Sequence, residues 1–239
     1  MNSVAGGGSF ITFPALVFTG VPPVTANATS TVALWPGSLA SVLAYRHDFP
    51  AERVLLRLMV GVSVVGGVAG AWLLLITPQS TFELLIPYLL LSATLLFALG
   101  GRLTSRASSN FGEEGAPSRP GLAGLGLLQL VVAVYGGYFG GGIGIIMLAL
   151  LAMLGLKNLH TMNAMKTLLA GSINGVAVAT FALANAVRWP EAGLMAVGTI
   201  LGGYGGAYFA KRLNPKVVRW FVILVGLAMT AYFFYEAYN

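Results

Sequence analysis

The stretch that decides the fold is Gly136-Gly137-Tyr138-Phe139-Gly140-Gly141-Gly142-Ile143-Gly144. Glycine adopts left-handed backbone conformations without steric cost and is a poor helix former, so this stretch predicts a break in the chain. Apolar runs lie on both sides of it, at 122–138 and 143–156. Each run is shorter than the roughly 20 residues that a membrane span needs. We therefore predict two helical arms separated by a glycine-rich break.

The composition places these arms in a membrane. Of 239 residues, 57% are hydrophobic and only 8% are charged, whereas a soluble domain carries about 25% charged residues. Lipid is the solvent that suits such a chain, and apolar runs of this length predict an all-α polytopic membrane protein. The chain has no cysteine, which excludes disulfides, thiolate catalysis and cysteine-based metal sites.

Further apolar runs lie outward from the break in both directions. They are a short run at 9–18 and longer runs at 24–45, 55–76, 82–100, 162–184, 192–210 and 217–235. The only long hydrophilic stretch, 105–119, predicts a cytoplasmic linker. We therefore predict a first membrane repeat at 1–104, the linker at 105–119 and a second membrane repeat at 120–239.

The positions of Lys and Arg indicate how the two halves are oriented. If 122–156 were one long span, the loops would place seven of these residues on one side and five on the other. If the chain instead breaks and the two arms return to the same side, eleven lie on one side and only Arg188 on the other, with Lys166 inside the membrane. Because basic residues concentrate in cytoplasmic loops, we predict inverted repeats.

Internal similarity supports a duplication. Gly66-Gly67-Val68-Ala69-Gly70-Ala71 matches Gly202-Gly203-Tyr204-Gly205-Gly206-Ala207 at an offset of 136, and Thr25-Ala26-Asn27-Ala28 matches Thr161-Met162-Asn163-Ala164 at the same offset. The triplet Gly6-Gly7-Gly8 matches Gly140-Gly141-Gly142 if two residues are skipped. Chance similarity between Gly/Ala-rich helices is the alternative. By symmetry, the first repeat should also begin with two arms, so we expect its first arm to be missing or truncated from this sequence.

The two glycine triplets are the first candidates for a binding site. Inverted repeats with broken helices are typical of transporters, whose sites lie near the bilayer midplane at the breaks. A helix N-terminus there binds anions through unpaired N–H groups and a partial positive charge. Close helix packing is the alternative explanation of such glycines, and it is the one we expect for Gly66, Gly70, Gly202 and Gly206.

Polar residues close to the short arms are the second group of candidates. They are Asn27, Thr29, Ser30 and Thr31 in the first half and Asn163, Lys166 and Thr167 in the second. Amides, hydroxyls and an ammonium donate hydrogen bonds to oxyanions, and polar groups at membrane depth usually face a cavity. Hydrogen bonding between helices is the alternative role, and Lys166 could instead extend toward the interface.

Other classes of function find little support. The basic residues, which give a net charge of +6, lie in short loops and form no stripe with aromatic residues, which argues against nucleic-acid binding. The sequence has no cluster of His, Asp and Glu residues and no Ser–His spacing that would suggest catalysis or a metal site. We therefore expect no enzyme, no metal and no cofactor.

A family resemblance adds to this interpretation. Ala5-Gly6-Gly7-Gly8-Ser9-Phe10-Ile11-Thr12-Phe13-Pro14-Ala15-Leu16, followed by Gly20-Val21-Pro22 and Ala26-Asn27-Ala28-Thr29-Ser30, resembles the first-repeat signature of the TauE/SafE sulfite exporter family, also called TSUP. Positions 137–144, with Leu154-Gly155 and Asn163-Ala164-Met165-Lys166-Thr167, are similar to its second-repeat signature. The resemblance implies a multi-pass permease of the bacterial or archaeal cytoplasmic membrane that carries sulfite or an organosulfur anion such as sulfoacetate. Met165 stands where the first repeat has Thr29, so the two half-sites differ chemically.

These observations together predict a permease with alternating access and a midplane anion site. The predicted site residues are Gly6, Gly7, Gly8, Ser9, Asn27, Thr29, Ser30, Gly140, Gly141, Gly142, Asn163, Lys166 and Thr167. A passive anion channel and a non-transporting membrane scaffold remain as alternatives. The expected partners are the small sulfur-containing anion and the lipid bilayer, and a homo-oligomer is left open.

Overall fold

The computed structural model describes residues 8–46, 49–50, 53–110, 119–153, 156, 158–210 and 215–238. These residues form nine α-helices and no strand. The helices are α1 (Ser9–Phe18), α2 (Pro23–Ala44), α3 (Arg53–Ile76), α4 (Gln79–Asn110), α5 (Arg119–Tyr138), α6 (Ile143–Met153), α7 (Leu159–Leu183), α8 (Trp189–Ala210) and α9 (Pro215–Tyr238). The predicted all-α class is confirmed.

Within the described residues, four segments are long and apolar enough to cross a membrane. They are Arg53–Ile76, Gln79–Gly100, His160–Leu183 and Trp220–Tyr238. Even the best covered of them buries only 39% of its apolar window inside the protein. The remaining apolar surface faces outward, where only lipid is a suitable solvent. The chain is therefore a polytopic α-helical membrane protein.

Helix α4 is longer than the sequence predicted. It continues to Asn110, so positions 105–110, expected to begin the linker, are helical. Their Ser, Arg, Ala and Asn residues include no Gly or Pro to stop a helix, and Gly112 is the next glycine along the chain. The polarity of the sequence indicated that the apolar run ends at position 100. The helix itself ends ten residues later, at Asn110. The division into two repeats joined by a linker stays a prediction.

Glycines bring α3 and α5 into close backbone contact. A Cβ atom added at Gly66 would lie 2.5 Å from Cβ of Ala133, and one added at Gly70 would overlap the carbonyl oxygen of Val134. The close packing predicted for Gly66 and Gly70 is thus confirmed, whereas Gly202 and Gly206 belong to a segment of α8 whose packing is not described. Because positions along α3 and α5 increase together at these contacts, the two helices run parallel.

Replacing Gly70 with alanine is expected to destabilise the protein, because the new methyl group would meet the backbone of α5 and not a flexible side chain. Overpacking of this kind typically costs about 1–3 kcal/mol. Gly61→Ala on the same helix is the matched control, since a Cβ there meets nothing within 4 Å. Thermal unfolding of both variants in detergent checks the prediction. Equal midpoints for the two variants would contradict the described α3–α5 contact.

Contacts between helices also define two ends of the bundle. Helices α2 and α7 run antiparallel, since Gly171 faces Val42 whereas Gly175 faces Trp35. The "basic end" is the one where α2 ends before Arg46 and where α3, α5 and α7 begin. At the "far end", the backbone N–H of Val24 donates to the Gln79 side chain at 3.0 Å. The starts of α2 and α4 therefore meet there.

Candidate functional site

The break predicted at 136–142 is present between α5 and α6. Helix α5 ends at Tyr138 and α6 begins at Ile143, so Gly136 and Gly137 still belong to α5. Gly140 and Gly142 have φ angles of +76° and +73°, which L-residues other than Asn and Asp rarely adopt. The residue types at these positions therefore determine where the helix stops.

The second arm turns back after the break. Gly142 lies against Ala93 of α4, and Gly100, further along α4, lies against Ile145. Helix α4 runs from the far end to the basic end, and α6 runs parallel to it. The arms α5 and α6 consequently leave from and return toward the same end of the bundle, as the charge pattern predicted.

Three hydrogen bonds hold the broken segment in place. The Gly140 N–H donates to the carbonyl of Tyr135 at 3.3 Å, and the Tyr135 hydroxyl donates to the Gly141 carbonyl at 2.8 Å. The third bond comes from the other half of the chain, where the Asn27 amide donates to the Tyr138 carbonyl at 2.9 Å. Asn27 therefore ties α2 to the end of α5.

A cavity of about 70 Å³ lies where α2, α7 and the break meet. We call it the Lys166 cavity. It is lined by Ser9, Asn27, Ser30, Thr31, Leu34, Gly37, Ser38, Ser41, Phe139, Gly140, Ile143, Gly144, Lys166, Thr167, Ala170 and Asn174. A cavity needs only roughly 10–15 Å³ to hold a water molecule, so this one has room for a small ion.

One face of α2 forms a polar wall of the Lys166 cavity. Its lining positions recur every three or four residues from Asn27 to Ser41, which is the spacing of a single helix face. The Ser30 hydroxyl lies 2.6 Å from that of Thr12 on α1. The arrangement joins α1 and α2 beside the cavity and presents amide and hydroxyl groups along the wall.

Lys166 supplies a positive charge to the opposite wall. Its side chain is buried, with 5% of the residue exposed, and its ammonium donates to Oδ1 of Asn163 at 3.0 Å. None of the lining residues among the described positions is Asp or Glu. A positive charge on a described lining that has no carboxylate attracts an anion and repels a cation, so the cavity is better suited to an anion.

Six predicted site residues come together in this cavity, and the others take different positions. The lining contains Ser9, Asn27, Ser30, Gly140, Lys166 and Thr167. Thr29 lies outside it and accepts a hydrogen bond from the Arg188 N–H at 3.1 Å. The lining does not include Asn163, which accepts the hydrogen bond from Lys166. It also does not include Gly141 and Gly142, which belong to the break. Gly8 precedes α1, and Gly6 and Gly7 lie outside the described residues.

Thr31, a candidate in the sequence, also lies on the lining, whereas three further polar residues there were not predicted: Ser38, Ser41 and Asn174. The helical spacing of Asn27, Thr31, Ser38 and Ser41 is visible in the sequence and could have indicated a shared face. Asn174 lies seven residues after Thr167, a spacing that also places both on one face of α7. It lies on the cavity because of how α7 is rotated about its own axis.

Comparison with known proteins agrees with this architecture. The family model described as sulfite exporter TauE/SafE matches residues 1–233. The chain is 31% identical over 234 residues to the probable membrane transporter protein ORF9 of a Sinorhizobium species, covering 96% of this chain and 85% of the relative. It is 27% identical over 240 residues to the probable membrane transporter protein YfcA of Escherichia coli strain K12, covering 100% and 86%.

A third relative is a probable membrane transporter protein of Haemophilus influenzae, 29% identical over 238 residues and covering 99% of this chain and 90% of the relative. No solved structure gives a significant match. The family match over nearly the whole chain and the apolar helices lead to one conclusion: the chain belongs to the sulfite exporter TauE/SafE family and is a multi-pass membrane transporter.

Proposed function

We propose that the chain is a permease that carries a small sulfur-containing anion, either sulfite or an organosulfur anion such as sulfoacetate, across the cytoplasmic membrane. The observation that carries the proposal is the burial of Lys166 on a small cavity whose described lining has no carboxylate. A charged residue at membrane depth costs about 2.5–3.5 kcal/mol on insertion scales and usually marks a transport path.

The chemistry of the cavity suits an oxyanion. The ammonium of Lys166 can form charge-assisted hydrogen bonds, which are about twice as strong as neutral ones. The first turn of α6, at Ile143 and Gly144, borders the same space and adds the partial positive charge of a helix N-terminus. The remaining predicted residues, including Gly6 and Gly7, stay part of the proposed site.

Pairs of residues separated by 136 positions support a duplicated architecture. The Thr31 hydroxyl donates to the Asn27 carbonyl, and the Thr167 hydroxyl donates to the Asn163 carbonyl, both at 2.9 Å. Trp35 and Gly171, which have the same separation, are in direct contact through a 3.2 Å hydrogen bond. A two-fold axis in the membrane plane would pass between α2 and α7, and transport would proceed as one repeat rocks against the other.

Flux measurements on the purified protein in liposomes test the proposal. We expect saturable uptake of radiolabelled sulfite or of an organosulfonate, and faster uptake when the vesicles are preloaded with the same unlabelled anion. Such stimulation from the opposite side requires a site that alternates between the two faces. Empty liposomes and liposomes that hold the Lys166→Met protein serve as controls.

Two outcomes would contradict the proposal. Flux that rises linearly with concentration and shows no stimulation by preloading would indicate a passive anion channel. No flux of sulfite, sulfate, thiosulfate or organosulfonates above the empty vesicles would favour a membrane scaffold.

A further inference from the structure

A second cavity of about 370 Å³ lies at the far end of the bundle. Its lining includes Val17 in the last turn of α1 and Gly20 just after this helix, Glu83 near the start of α4, and Phe233 and Glu236 near the end of α9. We call it the far-end cavity. These elements place it at the end of the bundle opposite the basic residues Arg46 and Arg53.

Helix α1 connects the two cavities. Ser9, at its start, lines the Lys166 cavity, whereas Val17, near its end, lines the far-end cavity. Eight residues of α-helix rise about 12 Å. The two spaces are therefore separated by less than the length of this short helix.

A stack of aromatic rings fills the space between the cavities. Phe139 lines the Lys166 cavity, and its ring packs edge-to-face on that of Phe13 with 6.0 Å between centroids. Phe13 in turn stacks on Phe233, which lines the far-end cavity, again with 6.0 Å between centroids. Phe13 is fully buried and Phe139 and Phe233 are each 4% exposed, so this ring stack leaves little room for water or an ion.

The Lys166 cavity extends in the other direction. Its lining continues along α2 from Asn27 through Gly37 and Ser38 to Ser41, shortly before the helix ends at Ala44 at the basic end. The polar wall is thus continuous from the level of the break to the basic end. Among the described side chains no comparable polar wall crosses the ring stack, which belongs to a cluster of buried apolar side chains.

The charges of the far-end cavity differ from those of the Lys166 cavity. Glu83 and Glu236 place two carboxylates on its lining, and like charges repel an incoming or outgoing anion. The far-end cavity is therefore poorly suited to hold an anion, although it can serve as a passage.

From these observations we propose that the two cavities are parts of one transport path. In the described conformation the Lys166 cavity communicates with the basic end, and the ring stack of Phe13, Phe139 and Phe233 closes the path toward the far-end cavity. The proposal rests on the transport function proposed above. It adds three points: the ring stack is the gate, the far-end cavity belongs to the path, and the site is open to the basic end.

Cysteine labelling can test this path, because the natural chain has no cysteine. Ser38→Cys reports on the Lys166 cavity and Val17→Cys reports on the far-end cavity. A small membrane-impermeant methanethiosulfonate is applied to right-side-out or to inverted membrane vesicles without substrate. We expect the two thiols to react from opposite sides, each at least about ten-fold faster from its own side, since a thiol reacts only where water and reagent reach it.

The ring stack is tested by adding Phe13→Ala to the Ser38→Cys protein. We expect the introduced thiol at position 38 in this double variant to react from both sides, because the central ring of the stack is removed. Phe181→Ala is the matched control, since Phe181 is equally buried but lines neither cavity. Val65→Cys, on an outward-facing position of α3, should react from neither side. If Phe13→Ala does not fold, Phe13→Leu takes its place. We then expect a smaller increase in labelling of the thiol at position 38 from the far side.

Labelling of Ser38→Cys and Val17→Cys from the same side would overturn the proposal. So would one-sided labelling of Ser38→Cys in folded protein that lacks the Phe13 ring. These measurements involve no substrate and are independent of the flux assay. Absence of flux together with the expected labelling pattern would therefore count against the proposed function alone. Normal flux without that labelling pattern would count against the gate alone.

Discussion

Replacing Lys166 with methionine is expected to lower saturable anion flux at subsaturating substrate by roughly 10- to 100-fold while leaving a folded protein. The ammonium supplies the formal positive charge of the cavity lining, and a hydrogen bond to a charged group contributes about 1.5–3 kcal/mol. Its loss corresponds to roughly 10- to 100-fold weaker anion binding. Methionine has a similar length and no charge, so it can occupy the space of the Lys166 side chain without its ammonium.

The stability of the Lys166→Met protein gives a second test of the role of Lys166. The substitution removes the free-energy cost of burying a charge but also removes the hydrogen bond to Asn163, so we expect an unfolding midpoint that changes little. Lys166→Arg keeps the charge and should retain part of the flux. A destabilised Lys166→Met protein that still transports would show that Lys166 has a structural role only.

Replacing Gly140 with valine is expected to have the second largest effect. Gly140 has a φ angle of +76°, and a Cβ atom there would lie 3.1 Å from the Gly136 carbonyl oxygen. A left-handed conformation costs an L-residue about 1–2 kcal/mol, and more for a β-branched side chain. The new side chain would also stand on the lining of the Lys166 cavity, so flux should fall to the level of empty liposomes.

Gly126→Val, within α5, is the control for Gly140→Val. A Cβ atom at Gly126 meets nothing within 4 Å, so this variant should keep its flux and nearly all of its stability. Thermal unfolding and sulfite uptake are measured on both proteins. Wild-type flux in the Gly140→Val protein would show that neither the break nor this part of the lining is needed for transport.

Several features were predictable from local sequence. The bounds of α1, Ser9–Phe18, agree with its apolar run, and the break lies where the glycines lie. The basic residues also predicted that α5 and α6 leave from and return toward one end. Hydropathy and glycine content act over a few residues, which is why these features needed no knowledge of the tertiary structure.

The end of α4 is a feature that the hydropathy of the sequence did not predict. Polar residues after Gly100 indicated an exposed segment, but α4 continues to Asn110. A helix can continue beyond its apolar residues because its backbone hydrogen bonds do not depend on the polarity of the side chains. Hydropathy alone therefore cannot give the end of such a helix.

The sequence by itself determined that this protein is a helical membrane protein, that its chain breaks at Gly140–Gly142, and which buried cation could meet an anion. Only the tertiary structure decided that Ser38 and Asn174 line the cavity with Lys166, that Thr29 instead accepts a hydrogen bond from Arg188, and that Phe13 lies between two cavities. The physical reason is that composition and periodicity describe one helix at a time. Which face of each helix meets the cavity depends on how all of them pack together.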